Sequence, residues 1–394
     1  MNDINPKDDN SNVDFYSPEG SPGQDAANWK VPVHREQVPL GGSSETTISK
    51  PPQVQQKESE WPMGVRKFVE VTGKRWEYLE YGNPEGEPIL NVHGWLGASA
   101  EGNEKLSKAL TGKIQNSLGL QNLEANVPKG ATKVKALVEG LKGKYHVIAP
   151  QLPGFGHSEA LNDPTLDNVA DELADFQKAI GLESSVFFGS SMGGILGIKL
   201  AARHPEAVRA LIIQGTMTQP KDMDTATYIA GKVATWKPIA NFFESHPNLA
   251  KGIFKRLVQG NEDFKLGDEY SRQRIIDDTD SAESHTALNT LRGIGSHIEE
   301  EIDKTEAPVV VMDGVAGKLV PIAKSKEIAG RFHTQVDNPE ENLQKNIAER
   351  RTMYFQVGGV AGEHGHSVVN TAPEEVAVLI NHAVNYFNAG VAKA

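Results

Sequence analysis

The 394-residue sequence contains no cysteine. The chain therefore cannot form a disulfide, bind zinc or an iron–sulfur cluster through thiolates, or use a thiol as its nucleophile. Basic residues are also scarce, since 40 lysines and arginines stand against 52 aspartates and glutamates, for a formal net charge of −12. Such an acidic chain is unsuited to general binding of nucleic acids, whose phosphates attract positive surfaces. No run of about 18 apolar residues occurs, so we expect no membrane span.

Apolar residues make up only 38% of the chain, and the shortage is most marked at the N terminus. Residues 1–60 are rich in proline and polar residues and show no sustained apolar period. Such a segment buries too little apolar surface to offset the entropy lost on ordering, so we predict a disordered tail over residues 1–60. A basic segment followed by about 7–15 apolar residues, the mark of a secretory signal, is not seen. The sequence therefore predicts a cytoplasmic location.

After residue 61, short apolar runs alternate with helical patterns. The runs typical of buried strands are residues 88–92, 145–149, 186–188, 208–213, 309–312 and 353–357. Apolar residues at helical spacing occupy residues 166–180, 192–203 and 374–387. Alternating residues on both sides of Gly73-Lys74 predict a hairpin ahead of them. Short buried strands alternating with helices predict an α/β fold, in which helices flank a mostly parallel central sheet.

Two long stretches separate these predicted strands. Residues 98–144 are rich in lysine, glycine, asparagine and leucine and predict a helical insertion. Residues 216–304 have little strand character and carry helical patterns at 226–236, 239–243, 249–257 and 285–302. Their position between two strands favours a helical cap over the carboxyl-terminal edge of the sheet. We therefore predict one domain formed by residues 61–215 and 305–394, and a cap formed by residues 216–304.

The pentapeptide Gly189-Ser190-Ser191-Met192-Gly193 directly follows one predicted strand and precedes a predicted helix. A serine on such a sharp strand-to-helix turn is held in a strained backbone conformation, and its hydroxyl projects above the sheet. The flanking glycines allow other segments to approach closely. Only Ser191 fits this G-x-S-x-G pattern, because Ser190 would need glycines at positions 188 and 192. The pattern predicts Ser191 as a nucleophile.

A second glycine-containing turn, His93-Gly94-Trp95-Leu96-Gly97, follows the predicted strand at residues 88–92. Such a turn can aim a backbone N–H group at the space above the neighbouring strand. We predict that the N–H groups of Trp95 and Met192 form an oxyanion hole, which binds the charge that develops during acyl transfer. The alternative is a glycine turn that merely ends the strand.

Two histidines, His364 and His366, lie on a predicted loop between a strand and the last helix. A histidine at the carboxyl-terminal edge of the sheet can reach a serine hydroxyl and act as its general base. Two histidines alone are a poor metal site, and no further cluster of histidine or acidic residues supports one. We therefore expect no metal and no other cofactor.

Taken in order, these segments resemble the α/β-hydrolase fold family, in particular its cap-bearing serine hydrolases. The matching stretches are residues 88–97, 147–158, 186–194 and 362–376, and the resemblance covers roughly residues 67–389 apart from the two insertions and residues 335–350. In that family the base commonly lies seven residues before a proline that begins the last helix. His366 and Pro373 stand in that relation, so the resemblance implies that His366 is the base and His364 its neighbour. It also implies that the predicted two-part domain is catalytic.

Two positions depart from the family pattern. Its motif D-x-x-G-x-G-x-S begins here with Gln151, where the usual aspartate is structural. Its motif G-x-x-D-x-x-V-P reads G-V-A-G-K-L-V-P, so Gly317 stands where the family has the acid that orients the histidine. Loss of that acid costs on the order of 10⁴ in rate in the serine proteases. We predict that Asp313 replaces it, with Asp222 and Asp224, after the preceding strand, as the alternatives.

The sequence thus predicts a serine hydrolase of the carboxylesterase or lipase type (EC 3.1.1), with Ser191, His366 and Asp313 as its triad. Its substrate would be a small molecule with a partly apolar ester or related acyl group, converted through an acyl-enzyme. The aromatic residues 236, 242, 243 and 254 of the cap would contribute to the pocket. Cleavage of C–C bonds and perhydrolysis stay open. The alternative class is a weak or inactive binding protein with this fold, favoured by Gly317. The sequence gives no indication of the oligomeric state.

Overall fold

The computed structural model describes residues 62–97, 100–223, 225–260, 282–294, 296–317, 319–333, 339–349, 351–358, 365–366 and 368–391. The tail predicted at residues 1–60 lies outside these residues, as do His364 and Asp224.

A single eight-stranded sheet forms the centre of the described chain. Its strands are β1 (Met63–Val71), β2 (Lys74–Gly82), β3 (Glu87–Val92), β4 (Tyr145–Pro150), β5 (Ser185–Ser190), β6 (Val208–Gln214), β7 (Val309–Gly314) and β8 (Thr352–Val357). The spatial order is β1-β2-β4-β3-β5-β6-β7-β8. β1 pairs antiparallel with β2, and β2 pairs antiparallel with β4, whereas all other neighbours are parallel. The predicted α/β class and its mostly parallel sheet are confirmed.

The central strands are apolar on both faces because helices cover both sides of the sheet. Phe187 and Leu211 belong to the core on one face, whereas Phe188 and Ile212, their neighbours in sequence, belong to the core on the other. Helices α4 (Leu166–Ala179) and α5 (Met192–Arg203) pack against each other, and α5 also packs on β5 and β6. The strands of the parallel part therefore end together at one edge, and their carboxyl ends present side chains to a common space.

The chain between β3 and β4 forms α1 (Ala100–Leu110), α2 (Leu118–Asn126) and α3 (Pro128–Glu139). All three contact α14 (Pro373–Val391), the last helix of the described chain. Leu106, Leu120 and Val134 are buried in the core that these helices form with the sheet. The helices of this stretch therefore pack into the main core.

Among the described residues between β6 and β7 there are five helices, which we call the inserted helical segment. They are α6 (Thr225–Ala234), α7 (Lys237–Ser245), α8 (Pro247–Gly260), α9 (Ser284–Gly293) and α10 (Glu299–Lys304). The helical pattern at residues 285–302 corresponds to α9 and α10, because the chain leaves α9 after Gly293 and Ile294 adopts an extended conformation. α9 contacts the short 3₁₀ turn Trp95–Gly97 that follows β3.

After β7 the chain forms α11 (Ile322–Arg331) and α12 (Pro339–Ala348), and after β8 it forms α13 (Val368–Thr371) ahead of α14. Among the described residues, no helix has the length and apolar character required to span a bilayer.

Candidate active site

Ser191 occupies the sharp turn between β5 and α5 and has a left-handed backbone conformation, with φ 54° and ψ −115°. This region is costly for a residue with a side chain and persists only where the surroundings hold it. The Ser191 N–H donates to the carbonyl oxygen of Gln214 at 2.7 Å. A Cβ atom at Gly189 would lie 2.3 Å from the carbonyl oxygen of Gly193. The first glycine of the motif is therefore required for the turn to close.

Gly193 brings the turn after β3 against the start of α5. A Cβ atom at this glycine would lie 2.5 Å from the carbonyl oxygen of Val92 and 2.7 Å from that of His93. The Trp95–Gly97 turn follows immediately, and Leu96 within it has a positive φ of 59°. The two turns that carry the N–H groups of Trp95 and Met192, predicted as oxyanion donors, are thus adjacent in the fold.

His93 fixes this turn to the loop after β4. Its Nε2 atom accepts a hydrogen bond from the Leu152 N–H at 3.1 Å. The ring proton therefore lies on Nδ1, which donates to the carbonyl oxygen of Gly94 at 2.7 Å. Burial lowers the pKa of His93 to about 4, so the ring stays neutral at neutral pH. We assign it a structural role that the sequence alone did not indicate.

His366 lies against the residues at the end of β6, and it is only 4% exposed. Its carbonyl oxygen accepts a hydrogen bond from the Nε2 atom of Gln214. Its ring packs on Gly215, where a Cβ atom would lie 2.8 Å from Cε1 and 2.9 Å from Nδ1 of the imidazole. Gly215 has a φ of +60° and leaves the space that the ring occupies. Since Gln214 also bonds the Ser191 N–H, the predicted nucleophile and base are both anchored to the end of β6.

Asp313 is buried near the end of β7, the strand beside β6. Its carboxylate accepts a hydrogen bond from the Ser325 hydroxyl and lies against the main chain of Gly215, whose N–H donates to the Met312 carbonyl oxygen at 3.2 Å. Burial raises the pKa of Asp313 to about 7, although Ser325 and the main chain of Gly215 act to lower it. Gly215 therefore contacts both the carboxylate of Asp313 and the ring of His366.

Asp222, one alternative acid, is engaged elsewhere. Its carboxylate accepts hydrogen bonds from the main chain and hydroxyl of Thr218, from the Gln219 N–H, and from the guanidinium of Arg331 on α11. Although burial acts to raise the pKa of Asp222, Arg331 and Thr218 hold it below its usual range. This carboxylate anchors α11 to the loop after β6.

Gly317, at the family's acid position, lies close to the main chain of His366. A Cβ atom there would be 3.2 Å from the carbonyl oxygen of Val320, 3.3 Å from that of Gly314 and 3.8 Å from the nitrogen of His366. Its φ lies outside the left-handed region. A side chain at this position is therefore sterically tight but conformationally allowed.

At Gln151, where the family has an aspartate, a carboxylate of β2 holds the loop that follows. Glu77 on β2 is buried and accepts the His157 N–H at 2.9 Å. The Ser158 hydroxyl in turn links the two strands, since it accepts the Glu77 N–H and donates to the Gln151 carbonyl. Glu77 thus holds the loop at residues 154–158, and no local sequence motif points to this role.

Aromatic side chains from the inserted helical segment meet the turn after β3. The Trp95 indole donates to the carbonyl oxygen of Ala287 at 2.9 Å, and its ring centroid lies 5.5 Å from that of Phe254. Phe243 lies 6.4 Å from Phe254. By contrast, Trp236 and Phe242, also predicted as pocket residues, are 63% and 47% exposed. Of the four aromatic residues predicted to contribute to the pocket, Phe243 and Phe254 therefore pack on the side of Trp95.

Within the part of the chain that the structure describes, no group of three or more histidine and acidic residues could hold a metal ion. Sequence reasoning also missed Gln214, which bonds the main chain of both Ser191 and His366. The only signal for it was a polar residue directly after the apolar run at residues 208–213.

Known proteins share this architecture. A model of the alpha/beta hydrolase fold matches residues 87–236. The 2-hydroxy-6-oxo-6-(2'-aminophenyl)hexa-2,4-dienoic acid hydrolase of Metapseudomonas resinovorans is 27% identical over 282 residues, which are 70% of this chain and 81% of that protein. Lipase 3 of Moraxella sp. (strain TA144) is 26% identical over 182 residues, 44% of this chain. The match spans about half of that lipase, 47% of its length.

A thermophilic esterase from Thermogutta terrifontis has a similar solved structure. It superposes with a TM-score of 0.55 and 17% sequence identity, covering 82% of this chain and 99% of the esterase chain. A likeness at this level of identity concerns the fold, so the chemistry has to be argued from the site itself.

Proposed function

We propose that this chain is a serine hydrolase of the α/β-hydrolase fold family, because the family model and relatives that are hydrolases, esterases and lipases match it. It would cleave an ester or related acyl bond of a small, partly apolar substrate, and Ser191 would be its nucleophile. One observation carries this proposal: Ser191 has a left-handed backbone conformation at the β5–α5 turn, φ 54° and ψ −115°. Strain of this kind is kept where the surrounding structure enforces it, and it clusters at active sites.

In the proposed reaction, the Ser191 hydroxyl attacks the carbonyl carbon of the substrate while the imidazole of His366 takes its proton. The carbonyl oxygen gains negative charge and is bound by the N–H groups of Trp95 and Met192. Met192 is the first residue of α5, so the partial positive charge of the helix N terminus adds to this binding.

The intermediate then collapses, and the imidazolium of His366 gives its proton to the leaving alcohol. This step leaves an acyl group on Ser191. A water molecule, deprotonated by the same imidazole, attacks the acyl carbon and releases a carboxylic acid. Asp313 would stabilise the imidazolium by its negative charge, since its carboxylate and the His366 ring both lie against Gly215.

The preference for a partly apolar substrate rests on apolar side chains of the core face that carries Trp95. Trp95, Met223, Phe243 and Leu319 are partly exposed and pack against the core on this face of the sheet. Apolar surface left open beside a charged reaction centre favours an acyl or alcohol group that is largely hydrocarbon. The inserted helical segment would act as the cap of this pocket, since Trp95 hydrogen-bonds Ala287 and Gly154 hydrogen-bonds Glu283.

The proposal is tested by incubating the protein with a fluorophosphonate probe and with p-nitrophenyl esters of increasing acyl length. We expect wild-type labelling and turnover, and loss of both in Ser191→Ala and His366→Ala, by about 10⁶-fold in the extreme case. Matched controls are Ser245→Ala, an exposed serine bonded within α7, and His297→Ala, whose side chain is 70% exposed. Both should behave as wild type. Wild-type protein that stays unlabelled would instead favour a binding protein with this fold.

A further inference from the structure

Gln214, the last residue of β6, is completely buried. Its side-chain oxygen accepts a hydrogen bond from the Ser190 hydroxyl at 2.8 Å, and its side-chain nitrogen donates to the carbonyl oxygen of His366. Its main-chain carbonyl accepts the Ser191 N–H at 2.7 Å. One residue therefore binds both of the chain segments that carry the proposed nucleophile and base.

The sheet register makes this arrangement possible. Ser190 and Gln214 are paired neighbours in the parallel ladder between β5 and β6. Paired side chains lie on the same face, so the short serine hydroxyl can meet the longer amide. An amide group carries an acceptor oxygen and a donor nitrogen, and it can bond a hydroxyl and a carbonyl at once. Leucine could make neither bond, and an ionised glutamate could make only the first.

The next residue, Gly215, receives the histidine ring. Its φ of +60° and its missing side chain leave the space where the imidazole packs, with Cε1 only 2.8 Å from the position of a Cβ atom. Two consecutive residues, Gln214 and Gly215, therefore fix the main chain and the ring of His366.

We propose that Gln214 is a positioning residue, which fixes the imidazole of His366 relative to Ser191 by tying the main chain of His366 to the β5–α5 turn. This inference rests on the proposed function, because it presupposes that Ser191 and His366 act together. A displacement of about 1 Å in such a pair costs on the order of 10²-fold in rate. The role is pronounced here because Gly317 replaces the acid that holds the histidine in the family.

The first test compares Gln214→Leu with a matched control, Gln177→Leu. Gln177 is also buried and accepts a hydrogen bond from a serine of β5, Ser185, at 2.9 Å. Ser185 begins β5, whereas Ser190 ends it. We expect Gln214→Leu to lower kcat for a p-nitrophenyl ester at least about tenfold with little change in KM, since the bound substrate is unaffected and the base is displaced. Gln177→Leu should keep the kcat of wild type.

The second test is Gln214→Glu, which changes the pH dependence. A protonated glutamate can still donate to the carbonyl oxygen of His366, whereas a carboxylate repels it. We expect the ratio of variant to wild-type kcat to fall as the pH rises from 6 to 9, while thermal unfolding shows that the variant is folded throughout. A merely structural role for Gln214 would lower the melting temperature and leave this ratio flat.

The outcomes separate the two levels of inference. A folded Gln214→Leu with wild-type kcat, or a flat ratio for Gln214→Glu, overturns the positioning role. If Gln214→Leu does not fold, the ratio for Gln214→Glu decides alone. Failure of the proposed function looks different, because wild-type protein itself would then show no labelling of Ser191 by the fluorophosphonate probe.

Discussion

β5 and β7 end at the same edge of the sheet, yet they supply their groups to the proposed active site by different means. After β5, the position of Ser191 follows from the backbone, since glycines on both sides leave no room for a Cβ atom. After β7, the candidate acid is a side chain, Asp313, which is held by the hydroxyl of Ser325. The residue at the family's acid position is Gly317, which has no side chain.

The contrast shows which parts of such a site tolerate change. A strained turn packed against neighbouring main chain has few solutions, because any Cβ atom at Gly193 would lie 2.5 Å from a carbonyl oxygen. A carboxylate has more freedom, since it acts on a histidine from any neighbouring position within hydrogen-bond reach. The nucleophile turn therefore tolerates substitution less than the acid, which can be supplied from another position.

The largest difference between the two regions is expected for a pair of glycine-to-alanine substitutions, Gly193→Ala after β5 and Gly317→Ala after β7. Gly193→Ala forces a methyl group to 2.5 Å from the Val92 carbonyl oxygen and pushes the turn after β3 away from α5. We expect kcat/KM to fall by at least about 10²-fold, the usual cost of losing an oxyanion donor. Gly317→Ala meets nothing closer than 3.2 Å, so its kcat/KM should stay near that of wild type. Equal losses in the two variants would contradict the comparison.

The acid itself is tested by Asp313→Asn, which keeps the size of the side chain and can still accept a hydrogen bond from Ser325. We expect turnover to fall at least about tenfold, because an amide cannot stabilise the imidazolium as a carboxylate does. Unchanged turnover would favour Asp224 over Asp313, since Asp222 is bound to Arg331. The measurement is kcat for a p-nitrophenyl ester at pH 8.

Ionisation of Asp313 is expected to raise the activity of the wild-type protein and to lower its stability. The pKa of Asp313 is raised from 3.8 to about 7, so its contribution to stability is complete below 3.8 and is lost as the pH rises through about 7. At pH 8, Asp313→Asn should therefore unfold no earlier than wild type, although it is less active. Wild-type kcat should rise as the pH passes about 7 and the carboxylate forms. A variant with both lower stability and lower activity at pH 8 would contradict this.

A further experiment restores a carboxylate at position 317 in a protein that lacks the carboxylate of Asp313. Adding Gly317→Asp to Asp313→Asn places a carboxylate at the family's position, where a Cβ atom would lie 3.8 Å from the nitrogen of His366. We expect a partial recovery of turnover, about threefold to tenfold, equivalent to about 1 kcal/mol of recovered stabilisation. The matched control is Gly317→Asn in the same background, which should recover nothing. A folded double variant without recovery would mean that this loop cannot hold an acid against His366.

The smallest effect is expected at the contact between the turn after β3 and the inserted helical segment. Trp95→Phe removes the 2.9 Å hydrogen bond to Ala287 and keeps a ring beside Phe254. A neutral hydrogen bond contributes about 0.5–1.5 kcal/mol, so KM should rise about twofold to tenfold while kcat changes little. A fall in kcat with constant KM would instead mean that the indole bond fixes the oxyanion turn itself. Steady-state kinetics with esters of two acyl lengths separates these results.

Much of the fold was predictable because its signals are local. Apolar runs predicted β3 to β8 within one or two residues, since central parallel strands are apolar on both faces. Helix bounds were less predictable, because Gly293 ends α9 and the helical pattern at residues 285–302 forms two helices. The helices between β3 and β4 pack against α14, a contact that the sequence pattern did not indicate. Helical periodicity shows that a helix has an apolar face, but not what covers that face.

The candidate site divides in the same way. Ser191 was predictable from the spacing of glycines between a strand and a helix, because that backbone leaves few alternatives. His366 needed the resemblance to a family, since His364 fits the local pattern equally well. Gln214, His93 and Glu77 were missed because their roles depend on partners 24 to 152 residues away in sequence. Polar residues of this kind give no periodic signal.

The sequence by itself determined the order of strands and helices, the turn that holds Ser191 and the exclusion of a thiol nucleophile. These features follow from local backbone limits and composition, which act within a few residues of the chain. Only the tertiary structure decided that Gln214 bonds both Ser190 and His366, that Gly215 contacts Asp313 and His366, and that Asp222 serves Arg331 instead. The reason is physical: a buried polar group must find a partner, and the partner available depends on which strands become neighbours.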